Sequence, residues 1–433
     1  MKYIWVILLL TSISFGQSLH SLIDYALKNS TVVKQSKAQM ELSEAQREES
    51  QAVQFGSIDL VGSYTHYNLP RTLAPLTPAS ILSDPAGVPT TTNLFGTGIM
   101  YSVPLFTGFA QTRQVEMDSI ATQLSQSKLS LSKEQLAYNV ASLYLSILAL
   151  QDMSYAQQKH VKALRKLRDI IKTEVRLGKK ASIDLLKAEN DLYGNISYME
   201  VIKGNIAMTK ASLASLVGLE HVGEIKSIKV SVKKPNYSIN RLVERAATLD
   251  KVHIADLNIR KANKGIEKSK SGLYPQVSLN SYYGYNYGEN DGSNMNPGDF
   301  NSQENWQVGV NAKWTVFDFG KNSAATQKAK IAKMQATFEK QQTLLDLRKS
   351  LVEAYEKMKQ EYANYQGNVK QYALTKKSEK IERVRYKNGV STINDLLYAS
   401  SQTQLSRAKL IESKYNYQKG KFYMDYLLEK GVK

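Results

Sequence analysis

One fixed offset recurs along most of this chain, and that internal repeat limits its possible folds more than any single motif. Adding 211 carries Phe106 to Phe317, Leu136 to Leu347, Val140 to Leu351, Tyr144 to Tyr355, Gly178 to Gly389, Asp184 to Asp395, Leu186 to Leu397 and Ala188 to Ala399. No gap is needed over about eighty residues. Upstream the offset drifts to about 219, where Ile58, Leu60 and Tyr64 meet Val277, Leu279 and Tyr283. The 433 residues would suffice for two or three ordinary domains, but they encode one unit twice.

Each unit reads as helix, β-hairpin, long helix, turn, helix. Val277, Leu279, Tyr283, Tyr285 and Tyr287 alternate with polar or small residues, as do Trp306, Val308, Val310, Ala312, Trp314 and Val316, which predicts strands with one apolar face. Asn290 to Gln303 joins them as a solvent loop. In the first unit the strands are expected over Ile58 to Asn68 and Gly98 to Phe106. The connector from Leu69 to Asn93, with five of the nine prolines, is expected to be irregular and exposed.

After each hairpin the period becomes helical. Leu344, Leu347, Leu351, Ala354, Met358, Tyr362, Tyr365, Val369 and Tyr372 recur at steps of three and four, as do Leu136, Val140, Leu143 and Ile147, a narrow heptad-like seam. Ala110 to Leu177 and Lys321 to Asn388 are proline-free runs of 68 residues. At about 1.5 Å per residue each would extend roughly 100 Å. Ser21 to Gln54, Ser182 to Val217, Ile239 to Ser271 and Thr392 to Leu428 are half-length helices, and a stacked pair matches one long helix. Gly218 to Ser238, with Pro235, is left as a belt-like connector.

The expected organisation is therefore a signal peptide over residues 1–18 and a first repeat over 19–218, with a β-hairpin at about 57–106 and a helical hairpin at about 110–217. A connector follows over 219–238 at the mid-helix belt. The second repeat covers 239–433, with a β-hairpin at about 275–318 and a helical hairpin at about 321–428. The fold class is mainly α with a small β part.

The signal rests on Lys2, the apolar stretch Ile4 to Leu10 and the small-x-small site Ser14-Phe15-Gly16. There is no cysteine, hence neither a disulfide nor a lipidated first cysteine. Nothing later offers 18 consecutive apolar residues, so a membrane passage must use β-strands. Four strands cannot close a barrel, so several chains must pool them. Transmembrane barrels use about eight strands or more, and the pattern leaves two chains and three chains both open. The 57 Lys and Arg outnumber the 39 Asp and Glu, but they are spread along helices without a basic block, which fits solvated faces rather than nucleic-acid binding.

The chain resembles the TolC-like outer-membrane efflux protein family across essentially its mature length. The residues that carry the resemblance are Pro104-Leu105-Phe106-Thr107-Gly108 and Val316-Phe317-Asp318-Phe319-Gly320, where each hairpin leads into a helix. With them go Leu177-Gly178, Ala181 and Asp184 at one helical turn, and Gly389, Asp395, Leu397 and Ala399 at the other. The resemblance implies that each chain forms one third of a trimeric α-helical periplasmic barrel capped by a 12-stranded transmembrane β-barrel. It implies a homotrimer in outer-membrane lipid, and a tip that docks on a periplasmic adaptor (membrane fusion protein) and an inner-membrane pump.

For the tip, the resemblance matches Asp184 and Tyr386 to a pair that hydrogen-bonds between helix hairpins and holds a gate closed, and Asp395 to an inward aspartate of the constriction. Ser391 stands where an arginine can occur and Tyr398 where a second inward aspartate can, so closure is expected to rely less on salt bridges. Gly178, Lys179, Lys180, Gly389, Val390 and Ser391 are the tip-turn candidates for adaptor docking.

No catalytic residue, metal site or cofactor is expected. The five histidines, His20, His66, His160, His221 and His253, have no ligand spacing, and no cysteine nucleophile, phosphate loop or Gly-x-Ser-x-Gly elbow occurs. A non-conducting structural coiled coil anchored in the outer membrane is the alternative and predicts a filled interior. The narrow apolar seam fits a wall wetted on both sides better. An adaptor would need a lipoyl-like domain, which the sequence lacks.

Overall fold

The computed structural model describes residues 17–83, 88–246, 248–291 and 300–431. Residues 1–16 of the expected signal segment, and most of the expected loop Asn290 to Gln303, lie outside them. The chain is mainly helical with one small antiparallel sheet. In order it forms α1 (Leu19–Asn29), α2 (Thr31–Ala52), β1 (Ser57–Thr72), α3 (Pro78–Ser83), β2 (Thr90–Phe106), α4 (Ala110–Arg176), α5 (Ser182–Val217), α6 (Ile239–Ala246), α7 (Asp250–Ser269), β3 (Gln276–Glu289), β4 (Phe300–Lys313), α8 (Lys321–Lys387) and α9 (Ile393–Leu427). Among the described residues no helix is long and apolar enough to cross a membrane.

The repeat governs the helix ends. Both long helices have 67 residues, and from Ala110 to Lys321 and Arg176 to Lys387 the offset is 211 at each end. The motif leaving each hairpin starts the helix that follows, because Thr107 and Asp318, also 211 apart, cap the two long helices. The Thr107 hydroxyl accepts from Gln111 N at 3.2 Å, and the Asp318 carboxylate from Asn322 N at 2.8 Å.

Two expected helices are broken. The run Ser21 to Gln54 divides at Ser30, which is extended (φ −59°, ψ 134°) and buried. The run Ile239 to Ser271 divides into α6 and α7. The Glu429 carboxylate accepts from Asp250 N at 2.6 Å and Lys251 N at 3.3 Å, capping α7 from the far end of the chain. α2 and α7 begin at Thr31 and Asp250, so the break keeps the 219 offset seen in the strands.

β1, β2 and β3 are longer than expected, whereas β4 ends at Lys313 and leaves Trp314 and Val316 of the expected strand outside it. In β1 and β2 the pairing resumes at Arg71 with Thr91 and Thr72 with Thr90 after a register shift that begins at His66. Pro70, which has no N–H to give a ladder, sits in that shift. Among the described residues of the expected irregular and exposed connector, 69–72 and 90–93 are strand, Pro78–Ser83 is a short helix, and Leu73 and Thr91 are buried, while β4 starts at Phe300, earlier than Gln303. The sheet order is β1-β2-β3-β4, all antiparallel, with β2 and β3 joining the two repeats. β1 and β4 are its two edges.

The described residues fall into two compact units, those within Met1–Ala38, Gln126–Ile254 and Lys340–Lys433 in one and those within Gln39–Ser125 and Ala255–Glu339 in the other. Each draws on both repeats. The second holds the sheet. In the first, Leu136, Val140, Tyr144 and Ile147 of α4 are buried, as are Leu347, Leu351, Ala354 and Met358 of α8. Farther along α8 the expected seam thins, and Val369 is exposed. The connector 219–238 has no helix and is held by side chains: the Tyr144 hydroxyl donates to the Lys226 carbonyl at 2.5 Å and the Tyr417 hydroxyl to that of Lys233.

Gly178 and Gly389 end α4 and α8 with φ of +73° each. In both, the residue after glycine donates back five positions, Lys179 N to Glu174 O at 2.8 Å and Val390 N to Arg385 O at 2.9 Å, the Schellman arrangement. A Cβ at Gly389 would meet nothing within 4 Å, so Gly389→Ala is expected to cost only the backbone term of about 1–2 kcal/mol. Gly367, inside α8 and equally unobstructed, should gain about 0.5–1 kcal/mol as alanine. Thermal melts of the two variants should move in opposite directions, and a shared direction would refute the left-handed cap as the cause.

Candidate functional site

The register settles which side chains share a face of the sheet. Leu60, Ile99, Tyr283 and Trp306 lie in one row across the four strands, and Ile58, Tyr101, Ser281 and Val308 in the next on the same face. Leu60 is 85% exposed and Trp306 67%. The opposite face carries Ser63, Gly96, Asn286 and Gln303 in one row and Asp59, Met100, Tyr282 and Gln307 in another. A sheet that exposes rings and aliphatic chains on one side and amides and hydroxyls on the other is suited to separate hydrocarbon from water.

At the helical turns, Asp184 lies in the first turn of α5, half-buried, and Tyr386 in the last turn of α8 is buried against Ile171, Ala188, Ile393 and Leu396. Burial first, then the carboxylates of Asp184 and Glu174, push the Tyr386 pKa up to about 12, so the phenol stays protonated. Its hydroxyl has no hydrogen-bond partner among the described residues, so no such bond joins it to Asp184. The expected pair is thus brought together electrostatically, without the contact that the resemblance attaches to it.

Asp395 serves as a cap within this chain. Its carboxylate accepts from Thr392 N at 2.9 Å and the Thr392 hydroxyl at 2.7 Å, while its own N–H donates to that hydroxyl at 3.2 Å, a reciprocal capping box. These bonds from Thr392 hold the Asp395 carboxyl below the usual carboxylate range. With Thr375, Ser378, Glu382, Arg385 and Tyr398 it lines an open cavity of about 440 Å³.

Of the docking candidates, Gly178, Lys179, Gly389 and Val390 are exposed, while Lys180 and Ser391 are half-buried. Lys180 places its ammonium 4.4 Å from the centre of the Tyr386 ring. Sequence reasoning missed this contact, because a lysine two residues after a turn glycine looks like an ordinary solvated charge. Among the described residues no cluster of metal-ligating side chains exists.

The amphipathic sheet and doubled helical turns define a class of outer-membrane protein, and comparison with known proteins agrees. The family described as "Outer membrane efflux protein" matches residues 22–219 and 245–421. The chain is 21% identical over 345 residues to the outer membrane protein TolC of Vibrio cholerae, covering 76% of this chain and 75% of that one. Its fold is similar to that of a membrane protein from Pseudomonas aeruginosa, with a TM-score of 0.79, 15% identity and coverage of 96% and 91%. It is also similar to the CmeC outer membrane channel of Campylobacter jejuni, with a TM-score of 0.76, 17% identity and coverage of 96% and 86%. The chain belongs to the outer membrane efflux protein family, whose members are channels rather than enzymes, and it is a transport protein of the outer membrane.

Proposed function

We propose that three copies of this chain pool their sheets into a closed 12-stranded barrel and conduct solute passively across the outer membrane. In this reading the helices form a periplasmic tunnel whose tip docks on an adaptor and an inner-membrane pump, as one part of a tripartite efflux or type I secretion system. The tip turns carry the gate, with Asp184, Tyr386 and Asp395 at the constriction and Lys179 and Val390 as the exposed docking points. The observation that carries it is the four-stranded sheet with one apolar exposed face, one amide-rich face and two unpaired edges in the protomer. Edges of that kind do not survive in lipid, and a second and third copy would pair β4 of one chain with β1 of the next.

The test is single-channel conductance of the purified, detergent-extracted protein in a planar bilayer. A small conductance is expected for the native chain and a larger one for Asp184→Ala. Folded, inserted protein that passes no current would overturn the channel and leave the anchored coiled coil as the better account.

A further inference from the structure

Lys180 belongs to the turn between α4 and α5, and Tyr386 to the last turn of α8, so their contact ties the first sequence repeat to the second. Tyr386 is 6% exposed and is walled by Ile171, Ala188, Ile393 and Leu396. A buried tyrosine ordinarily finds a partner for its hydroxyl. Here the hydroxyl has none among the described residues, and the polar contact at this residue is made by the ring face instead. No ion pair among the described residues engages Lys180, so its ammonium is not drawn off to a carboxylate. An ammonium over an aromatic face is attracted by the ring quadrupole, and the attraction strengthens as the pair is desolvated. Lys180 is half-buried, which favours it.

We propose that the tip of this chain is latched by the Lys180 ammonium on the face of Tyr386, and that the Tyr386 hydroxyl contributes nothing to closure. The inference rests on the gate reading above and names its closing contact. It gives Lys180 a role inside the latch rather than on the docking surface. It also separates two chemistries that a single tyrosine usually confounds, since phenylalanine keeps the ring and loses only the hydroxyl.

The experiment compares single-channel currents of the native chain with those of Tyr386→Phe, Tyr386→Leu, Lys180→Arg and Lys180→Met in the same bilayer. Phenylalanine and arginine preserve a cation over a ring, so both variants should remain as closed as the native chain. Leucine and methionine remove one partner each, and the closed-to-open ratio should fall about tenfold in either. Lys180→Met keeps the length and most of the apolar stem, so it decides the matter even where Tyr386→Leu disturbs packing. Opening by Tyr386→Phe, or a native-like Lys180→Met, would overturn the ring latch while leaving a gate in place. If all four variants and Asp184→Ala leave the current unchanged, the gate reading itself fails.

Discussion

Trp306→Arg is expected to keep the protein out of the outer membrane, while Asn305→Arg, one residue earlier, is tolerated. The two positions lie on one strand and point to opposite faces. Trp306 is in a row with Leu60, Ile99 and Tyr283, and Asn305 in a row with Val61, Gly98 and Gly284. A guanidinium on the lipid face of a barrel costs about 2–4 kcal/mol near the bilayer midplane, and the proposed trimer would bear that cost three times. Removing the indole also forfeits apolar area that is 67% exposed in the protomer and available to lipid. On the other face a new cation would meet water beside Gln303 and Gln307, which share that face of β4. Outer-membrane fractionation of the two variants checks this. Equal recovery of both in the membrane would mean that the apolar face does not meet lipid.

Much of this architecture was legible in the sequence, and the reason is the repeat. Each helix boundary in one unit has its counterpart in the other, and α4 and α8 begin and end 211 residues apart. The strand faces were legible too, because a period of two survives any uncertainty about strand ends. What escaped was set by distant partners. At α7 the capping carboxylate belongs to Glu429, 179 residues on from Asp250, so that cap leaves no local trace. The extension of β1 past Pro70 was hidden because proline normally ends a strand, and only the register shift shows how the ladder resumes beyond it. At the tip, Asp184, Tyr386 and Asp395 stand out only through resemblance to a family pattern, which carries none of their local chemistry. The Asp395 carboxylate is engaged by Thr392, a pairing the threonine-x-x-aspartate spacing could have suggested. The Lys180 contact spans two repeats and leaves no local trace.

Leu351→Ala is expected to destabilise the helical unit by about 2–5 kcal/mol, the cost of lost apolar burial plus the cavity left behind. Leu351 is fully buried and sits in a cluster with Leu347, Ala354 and Met358 of its own helix, with Leu249 just before α7 and Val252 within it, and with Tyr417, Met424 and Leu427 of α9. A long helix in water owes most of its stability to such packing rather than to intrinsic propensity, so a hole here loosens every element that meets at the cluster. Tyr417 also holds the connector through the Lys233 carbonyl, which extends the damage to the belt. Val369, 18 residues farther along α8 and 40% exposed, supplies the control, with a change within about 0.5 kcal/mol on substitution by alanine. Hydrogen exchange read along α8 distinguishes the two: amides near residue 351 should exchange faster in Leu351→Ala and stay protected in Val369→Ala. Equal protection in both variants would mean that the cluster around Leu351 is not what holds α8, and that its stability comes from contacts with other copies of the chain.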